Sequence, residues 1–125
     1  MTDAFFISCS VINNSRECYR FPFDGVLLPQ ASQESVWQAV GAPVLAAALD
    51  GYSGTIFAYG QTGSGKTFTV TGGTERYADR GLIPRALAAL FHEVAVRDGT
   101  VAYTVHLSYL EIYNEVRAGS AAANL

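Results

Sequence analysis

One eight-residue stretch, Gly60 to Thr67, constrains this chain more than any other feature, because it fits the pattern G-x-x-x-x-G-K-[ST] without a mismatch. The residues before it, 54–59, form a short β-branched and aromatic run that predicts a buried strand, and the residues after it can open a helix. A strand, a glycine-rich loop and a helix in this order are the usual setting of a phosphate-binding loop. The sequence therefore predicts a site for a nucleoside triphosphate.

Each residue type in this loop suits phosphate binding. Gly60, Gly63 and Gly65 allow tight turns and bring backbone N–H groups against phosphate oxygens. The helix that begins near Lys66 aims the positive end of its dipole at the same anion. We expect the Lys66 ammonium to reach the β- and γ-phosphates and the Thr67 hydroxyl to coordinate a bridging Mg²⁺ ion. A chance glycine-rich turn before a lysine is the alternative, and the flanking strand and helix argue against it.

Three blocks of the sequence resemble kinesin motor domains. Residues 51–72 (GYSGTIFAYGQTGSGKTFTVTG) are similar to the nucleotide-binding segment of that family. Residues 81–87 (GLIPRAL), followed by Leu90 and Phe91, resemble the helix that continues after the phosphate-binding loop. Residues 108–115 (SYLEIYNE) resemble the strand and turn that come next. The order and spacing of the blocks also match the family.

Further similarity lies upstream. Residues 21–26 (FPFDGV) and the segment from Ser32 to Asp50 occupy the places of the family's second strand and first helix, so the resemblance covers about residues 11–116. Residues 13–21 and 71–80 are most similar to the kinesin-nine class, whose members are associated with cilia and flagella. The resemblance therefore implies a location in the cytoplasm and cytoskeleton, including the cilium or flagellum.

The resemblance implies a fold and a function. The fold is a three-layer α/β P-loop NTPase (kinesin motor) fold, in part, with the triphosphate at the carboxyl end of a central strand. The function is the ATP-binding portion of a microtubule-based motor ATPase, with ATP and Mg²⁺ as ligands and the microtubule as partner. Thr67 is the predicted metal ligand. The predicted nucleotide-binding residues are Gly60, Gln61, Thr62, Gly63, Ser64, Gly65, Lys66, Thr67 and Phe68.

The adenine side of the site departs from the family. Kinesins begin with a strand that carries an Arg-x-Arg-Pro element beside the base, and residues 1–10 do not match it. Phe68 lies where the family places a side chain against the base, so it is the remaining candidate for stacking. Burial of its ring in helix packing is the alternative.

The carboxyl-terminal side departs further. We expect residues 1–125 to be one partial motor domain, because the switch I and switch II elements of the family would lie beyond Leu125. Residues 116–125 also leave the family pattern. Glu111 is the only acidic residue that superficially resembles a catalytic substitute, and pairing or solvation is the commoner role of such a carboxylate. Hydrolysis is therefore left open, and a catalytically dead nucleotide-binding or interaction module is the alternative function.

Composition and motifs argue against other classes of function. The formal charge of −3 and the scattered Lys and Arg residues predict no binding of nucleic acid or membrane. An unrelated P-loop kinase or GTPase lacks any supporting base-recognition or acceptor motif. Cys9 and Cys18 have no metal-ligand spacing, and a reducing setting predicts that both are free thiols.

The hydrophobic pattern also predicts the secondary structure. Ser32 is a predicted N-cap without a complete capping box. The predicted elements are a strand at 19–23, a helix at 33–49, a strand at 55–58, a helix from Gly65, an exposed loop at 74–80, a helix that restarts at Pro84, a turn at Asp98 and Gly99, and a strand at 101–112.

Overall fold

A computed structural model describes residues 4–12, 15–97, 102–113 and 116–124 of the chain, with side chains described for 18–97 and 102–112. The chain divides into two compact units, Met1–Ala86 and Leu87–Leu125. The elements are β1 Ala4–Ile12, β2 Ser15–Phe23, α1 Gln33–Val36, a π-helical turn Trp37–Gly41, α2 Ala42–Leu49, α3 Lys66–Val70, a 3₁₀ turn Tyr77–Asp79, α4 Leu82–Val96, β3 His106–Tyr113 and β4 Val116–Asn124.

The first unit opens with a hairpin of β1 and β2, which contains the predicted strand at 19–23. The antiparallel register places the Cα atom of Cys9 opposite that of Cys18. Cys18 is disulfide-bonded, so the prediction of free thiols is wrong for this residue. The cause is local, because directly opposed positions of an antiparallel pair bring Cα atoms within the range that a disulfide spans.

The predicted helix at 33–49 is confirmed, and its N-cap is Ser32. The Ser35 N–H donates to the Ser32 hydroxyl oxygen at 3.1 Å. In the middle of the helix the hydrogen bonding widens, and the Ala42 N–H donates to the carbonyl of Trp37, five residues earlier. Pro43 follows directly, and it has no N–H with which to continue the i to i−4 ladder. The π-helical turn accommodates that missing donor.

The strand predicted at 55–58 is not formed. Residues 53–60 make no strand pairing, and Phe57 and Tyr59 are 83% and 94% exposed. A strand requires a hydrogen-bonding neighbour, and among the described residues each hairpin pairs only within itself. The described residues therefore contribute helices and hairpins to the predicted α/β fold without assembling its central sheet.

The segment between α3 and α4 is a short excursion, as predicted. Gly72 and Arg80 form an isolated antiparallel bridge, and the Gly73 N–H donates to the Asp79 carbonyl at 2.9 Å. We call this excursion loop 72–80. Its two ends therefore lie side by side. Helix α4 then begins at Leu82, with Pro84 in its first turn, where a missing N–H costs no intrahelical bond.

The interior of the first unit is small. Trp37 and Leu82 are the buried apolar side chains among the described residues, and Gln33 is the buried polar one. These three side chains come from α1, the π-helical turn and the start of α4. The helices around the excursion are thus held by few, specific contacts.

In the second unit β3 and β4 form an antiparallel hairpin with a register shift between Leu110 and Ile112. The strand predicted at 101–112 is confirmed from His106 onward, whereas residues 102–105 are not in a strand. The turn predicted at Asp98 and Gly99 lies outside the described residues. Within the described part of the chain, no helix has the length and apolar content that a membrane crossing requires.

Candidate nucleotide-binding site

Glycine geometry shapes the predicted phosphate-binding loop. Gly63 has φ of 81° and Gly65 has φ of 88°, both in the left-handed region that side chains disfavour. A Cβ atom at either position would meet nothing within 4 Å, so open space lies beside both residues. At Gly60 a Cβ atom would stand 2.6 Å from the Ser64 hydroxyl, so the start of the loop approaches its middle closely. The Ser64 N–H donates to the Gln61 carbonyl at 3.2 Å and closes the turn.

Lys66 ties the beginning of this loop to its end. Its ammonium donates to the carbonyl of Gly60 at 2.8 Å and to that of Gln61 at 2.7 Å. The side chain therefore folds back toward the start of the loop, and the positive charge lies beside the Gly60 and Gln61 carbonyls. Lys66 is also the only lysine of the chain. A positive charge in a loop that also has two left-handed glycines is an arrangement that can accept the oxygens of a phosphate.

The helix after the loop is short. Helix α3 has five residues, Lys66–Val70, and Gly65 is its N-cap. The dipole of such a helix is small, because it grows with the number of aligned peptide units. The loop glycines and the Lys66 charge, rather than the helix dipole that the sequence pattern emphasised, are therefore the features of this loop that suit an anion.

An open depression of about 350 Å³ lies at this loop. It is lined by Thr62, Gly63, Gly65, Lys66, Thr67 and Phe68. Ser64 and Lys66 also line a second depression of about 300 Å³. Gly60 and Gln61 join the site through their carbonyls, so the structure brings all nine predicted residues into one loop and its rim. The volume of the first depression, about 350 Å³, is at the lower end of the range for small-molecule sites.

Phe68 stands at the rim of the first depression. Its residue is 53% exposed, so helix packing does not bury the ring. The ring lies near loop 72–80, since a Cβ atom on Gly73 would be 3.9 Å from Phe68 Cε2. An exposed aromatic ring beside this depression can stack on a planar group.

The residues fit a magnesium ion that a triphosphate brings with it. Thr67 lines the depression next to Lys66 and offers one hydroxyl oxygen. Among the described residues there is no group of three or more His, Cys, Asp or Glu side chains that could hold a metal ion alone. Mg²⁺ commonly keeps several waters and binds through few protein oxygens plus substrate phosphates. Thr67 is the residue that would hold it here.

Sequence reasoning missed one residue of this region. Gln33 is 7% exposed, and its amide donates to the carbonyl of Phe68 at 2.6 Å and to that of Asp79 at 3.3 Å. Nothing in the pattern separates this glutamine from a solvated residue in the first turn of a helix. A family resemblance places the residue, but its partners follow only from the tertiary structure.

In the second unit Glu111 is a partner for a tyrosine. The Tyr109 hydroxyl donates to a carboxylate oxygen of Glu111 at 3.1 Å. This hydrogen bond, together with the negative charge, raises the pKa of Tyr109 above its usual value. Glu111 thus has the pairing role that the sequence favoured over catalysis.

Comparisons with known proteins identify the family. The model of the kinesin motor domain matches residues 4–118, which extends the resemblance seen in the sequence at both ends. Kinesin-like protein KLP1 of Chlamydomonas reinhardtii is 52% identical over 87% of this chain, and kinesin-like protein KIF9 of Mus musculus is 52% identical over 84%. The expected similarity to the kinesin-nine class is therefore confirmed. The chain spans 14% and 13% of the lengths of these two relatives.

Solved structures agree. The Drosophila kinesin NOD in complex with AMPPNP matches with a TM-score of 0.70 and 29% identity, over 87% of this chain and 37% of that one. NOD in complex with divalent manganese and ADP matches equally well, over 38% of its chain. A fast kinesin matches with a TM-score of 0.80 and 25% identity, over 99% of this chain and 43% of that one. These likenesses confirm the predicted P-loop NTPase fold, and the chain belongs to the kinesin motor domain family.

Proposed function

We propose that this chain binds ATP with Mg²⁺ through residues 60–68 and is the nucleotide-binding portion of a microtubule-based motor. The observation that carries the proposal is the Lys66 ammonium, which donates to the carbonyls of Gly60 and Gln61 in the same loop that contains the left-handed Gly63 and Gly65. These hydrogen bonds hold the loop in one conformation, which supports the proposal because preorganisation lowers the cost of binding.

Each residue has a role in this proposal. The backbone N–H groups around Gly63 and Gly65 receive phosphate oxygens, and Lys66 neutralises the negative charge of the β- and γ-phosphates. Thr67 contributes a hydroxyl to Mg²⁺, and the exposed Phe68 ring meets the base. Support for a nucleotide with a divalent metal comes from NOD, which was solved with AMPPNP and with manganese and ADP. Mg²⁺ supplies electrostatic stabilisation of the phosphates when bound.

The partner and the location belong to the same proposal. NOD and tubulin were docked into a map of nucleotide-free NOD complexed to the microtubule, and the alignment with that NOD structure gives 32% identity to this chain. That likeness supports a microtubule partner and a cytoskeletal location in the cytoplasm. The kinesin-nine resemblance supports the cilium or flagellum. The net charge of −3 supports neither nucleic acid nor membrane as a partner.

The domain assignment is also proposed. We assign residues 1–125 to a single partial motor domain. The family match over residues 4–118 supports this assignment, as does the coverage of 37% to 43% of the solved motor chains. Within that domain these residues contribute the triphosphate grip, whereas water activation and force generation need additional groups.

The single lysine allows a sharp test of the site. An amine-reactive reagent can label only Lys66 and the α-amino group at the N-terminus, which serves as an internal control. We expect Mg-ATP to protect Lys66 from labelling, because the phosphates occupy its ammonium, while labelling of the N-terminus is unchanged. Peptide mass spectrometry measures both sites in one sample. Equal labelling of Lys66 with and without Mg-ATP would contradict the proposal.

Calorimetry provides the second arm. We expect Lys66→Ala to abolish Mg-ATP binding, whereas Arg97→Ala retains it. Arg97 is a suitable charge control because its side chain is 38% exposed and pairs with Glu93 in the second unit, outside the phosphate-binding loop and loop 72–80. Loss of binding in both variants would mean that net charge, and not the site, holds the nucleotide.

A phosphate-release assay in the presence of microtubules then distinguishes a chain that hydrolyses ATP from one that only binds it. Stimulated release by the chain supports the motor ATPase within these residues. Binding of Mg-ATP without phosphate release identifies a nucleotide-binding site that depends on other groups for hydrolysis. Co-sedimentation with microtubules in the same samples tests the filament partner directly.

A further inference from the structure

Gln33 connects three parts of the first unit through one side-chain amide. Its Nε2 donates to the carbonyl of Phe68, at the nucleotide site, at 2.6 Å. The same nitrogen donates to the carbonyl of Asp79, at the far end of loop 72–80, at 3.3 Å. Both partners are carbonyl oxygens, so only the NH₂ group of the amide can face them. Gln33 itself is 7% exposed at the start of α1.

The Phe68 carbonyl is available because α3 ends irregularly. In a regular helix this carbonyl would accept the Gly72 N–H. Here the Gly72 N–H donates instead to the carbonyl of Thr67 at 3.1 Å, as the Thr71 N–H does at 2.8 Å. Gly72 has φ of 84°, which turns the chain out of the helix. A partly buried carbonyl without a partner costs stability, and the Gln33 amide supplies that partner.

The Asp79 carbonyl is the second acceptor of the Gln33 amide. It accepts the Gly73 N–H at 2.9 Å as well as the Gln33 amide, so both ends of loop 72–80 are fixed at this point. Gly73 in turn lies beside the Phe68 ring. The backbone of Phe68 and the loop that flanks its ring are therefore held by one donor group.

We propose that Gln33 is a positioning residue of the nucleotide site, which holds the Phe68 backbone and loop 72–80 together so that the Phe68 ring stays at the rim where the base binds. The inference rests on the proposed function, since it assumes that Phe68 meets the base of a bound nucleotide. The two carbonyls to which the Gln33 amide donates, those of Phe68 and Asp79, both lie outside residues 60–67. Its effect on nucleotide affinity passes through Phe68.

A double-mutant cycle tests this route. Gln33→Met keeps the length of the side chain and removes the donor, and Phe68→Ala removes the ring. We expect each single variant to weaken Mg-ATP binding about fivefold to tenfold, as expected from the loss of a buried hydrogen bond or an aromatic stack. We expect the double variant to bind no more weakly than Phe68→Ala alone, because Gln33 has no ring left to position.

Gln38→Met is the matched control. Gln38 lies one turn further along the same helical segment, is exposed, and donates only to Glu34 at 2.7 Å. We expect its Mg-ATP affinity to equal that of the parent. Losses that add in the double variant, or an equal loss in Gln38→Met, would overturn the proposal, because Gln33 would then act through general stability.

A titratable variant keeps the test informative if Gln33→Met does not fold. In Gln33→Glu the neutral carboxyl can donate one O–H to the Phe68 carbonyl, whereas the carboxylate repels both carbonyls. Burial raises the pKa of this new carboxyl, so the neutral form returns as the pH falls. The charged neighbours, Asp79 with Arg76 and Glu34 with Arg85, are paired and common to every variant.

We therefore compare Gln33→Glu with the parent at each pH. We expect the ratio of its Mg-ATP affinity to that of the parent to rise between about pH 8 and about pH 5.5. A ratio that stays flat would overturn the hydrogen-bonding role of Gln33. Absence of Mg-ATP binding by the parent, with no protection of Lys66, would instead overturn the proposed function on which this inference rests.

Discussion

Gly41 lies directly against the indole ring of Trp37, so that a Cβ atom on Gly41 would stand 2.1 Å from Cε3 of that ring. The two residues are the ends of the π-helical turn Trp37–Gly41. Trp37 is 8% exposed and is one of the few buried apolar side chains described in the first unit. The π-helical turn and the absence of a side chain at Gly41 together leave room for the indole ring to pack against the helix backbone.

This relationship predicts that Gly41→Ala is destabilising. Helix propensity alone predicts the opposite sign, because alanine is favoured over glycine in a helix by about 1 kcal/mol. The clash with a buried ring should outweigh that gain and lower the free energy of unfolding by about 1 to 3 kcal/mol. Urea unfolding followed by tryptophan fluorescence measures it, since Trp37 is the only tryptophan. A gain in stability would show that the indole moves away without cost.

Two glycines with nearly the same φ allow backbone strain to be separated from crowding. Gly63 has φ of 81° and open space around its Cβ position, whereas Gly72 has φ of 84° and its Cβ would lie 2.2 Å from the Gly81 nitrogen. We expect Gly63→Ala to lower the free energy of unfolding by about 1 to 2 kcal/mol, the cost of a left-handed conformation. Gly72→Ala should cost clearly more, because backbone atoms must also shift.

Thermal and urea unfolding of both variants, with Gly25→Ala as control, measure the difference. Gly25 has neither a positive φ nor a neighbour within 4 Å of its Cβ position. Equal losses for Gly63→Ala and Gly72→Ala would mean that loop 72–80 relaxes freely around a new methyl group.

Local signals predicted much of the structure from the sequence. The glycines and Lys66 of the phosphate-binding loop act within a few residues, so their pattern alone predicts the left-handed backbone and the close approach of Gly60 to Ser64. The Ser32 cap and the helix restart at Pro84 are local in the same sense. Each of these features depends on backbone geometry that a residue type imposes on its neighbours.

The missed features depend on partners that are distant in the sequence. The apolar run at 55–58 has the composition of a strand, but a strand exists only with a neighbour, and the described residues supply none to it. Gln33 gains its role from a carbonyl 35 residues away.

Arg85 is predicted to stabilise loop 72–80 more through its hydrogen bonds than through its ion pair. Its Nε donates to the Arg80 carbonyl at 2.9 Å, its Nη2 donates to the Ala78 carbonyl at 3.2 Å, and its Nη1 pairs with Glu34. The Arg85 side chain is 13% exposed, whereas that of Glu34 is 54% exposed. Water screens the carboxylate, so the pair itself contributes little.

We expect Arg85→Met to lower the free energy of unfolding by about 1 to 3 kcal/mol, because two carbonyls lose a charged donor. Glu34→Gln should cost less than about 1 kcal/mol. Urea unfolding of the two variants in low and high salt is the measurement, and only the small Glu34 effect should depend on salt. A larger loss for Glu34→Gln than for Arg85→Met would reverse this ranking.

In the second unit, Tyr109 is predicted to titrate above its usual range. Its hydroxyl donates to Glu111, and both this hydrogen bond and the negative charge of Glu111 raise the pKa of Tyr109. The protonated tyrosine is therefore the form that the folded chain favours. Its contribution to stability is fully present below the unfolded value of about 10 and is lost as the pH rises through the folded value.

Glu111→Ala removes both causes, so we expect the pKa of Tyr109 to fall back toward its ordinary value. NMR titration with ring-labelled tyrosine measures it, and Tyr109→Phe assigns the signal among the seven tyrosines. Glu93→Ala is the matched control, because it removes a carboxylate of the same unit that pairs with Arg97. An unchanged pKa in Glu111→Ala would mean that the carboxylate does not hold the hydroxyl in solution, and Glu111 would again lack a structural role.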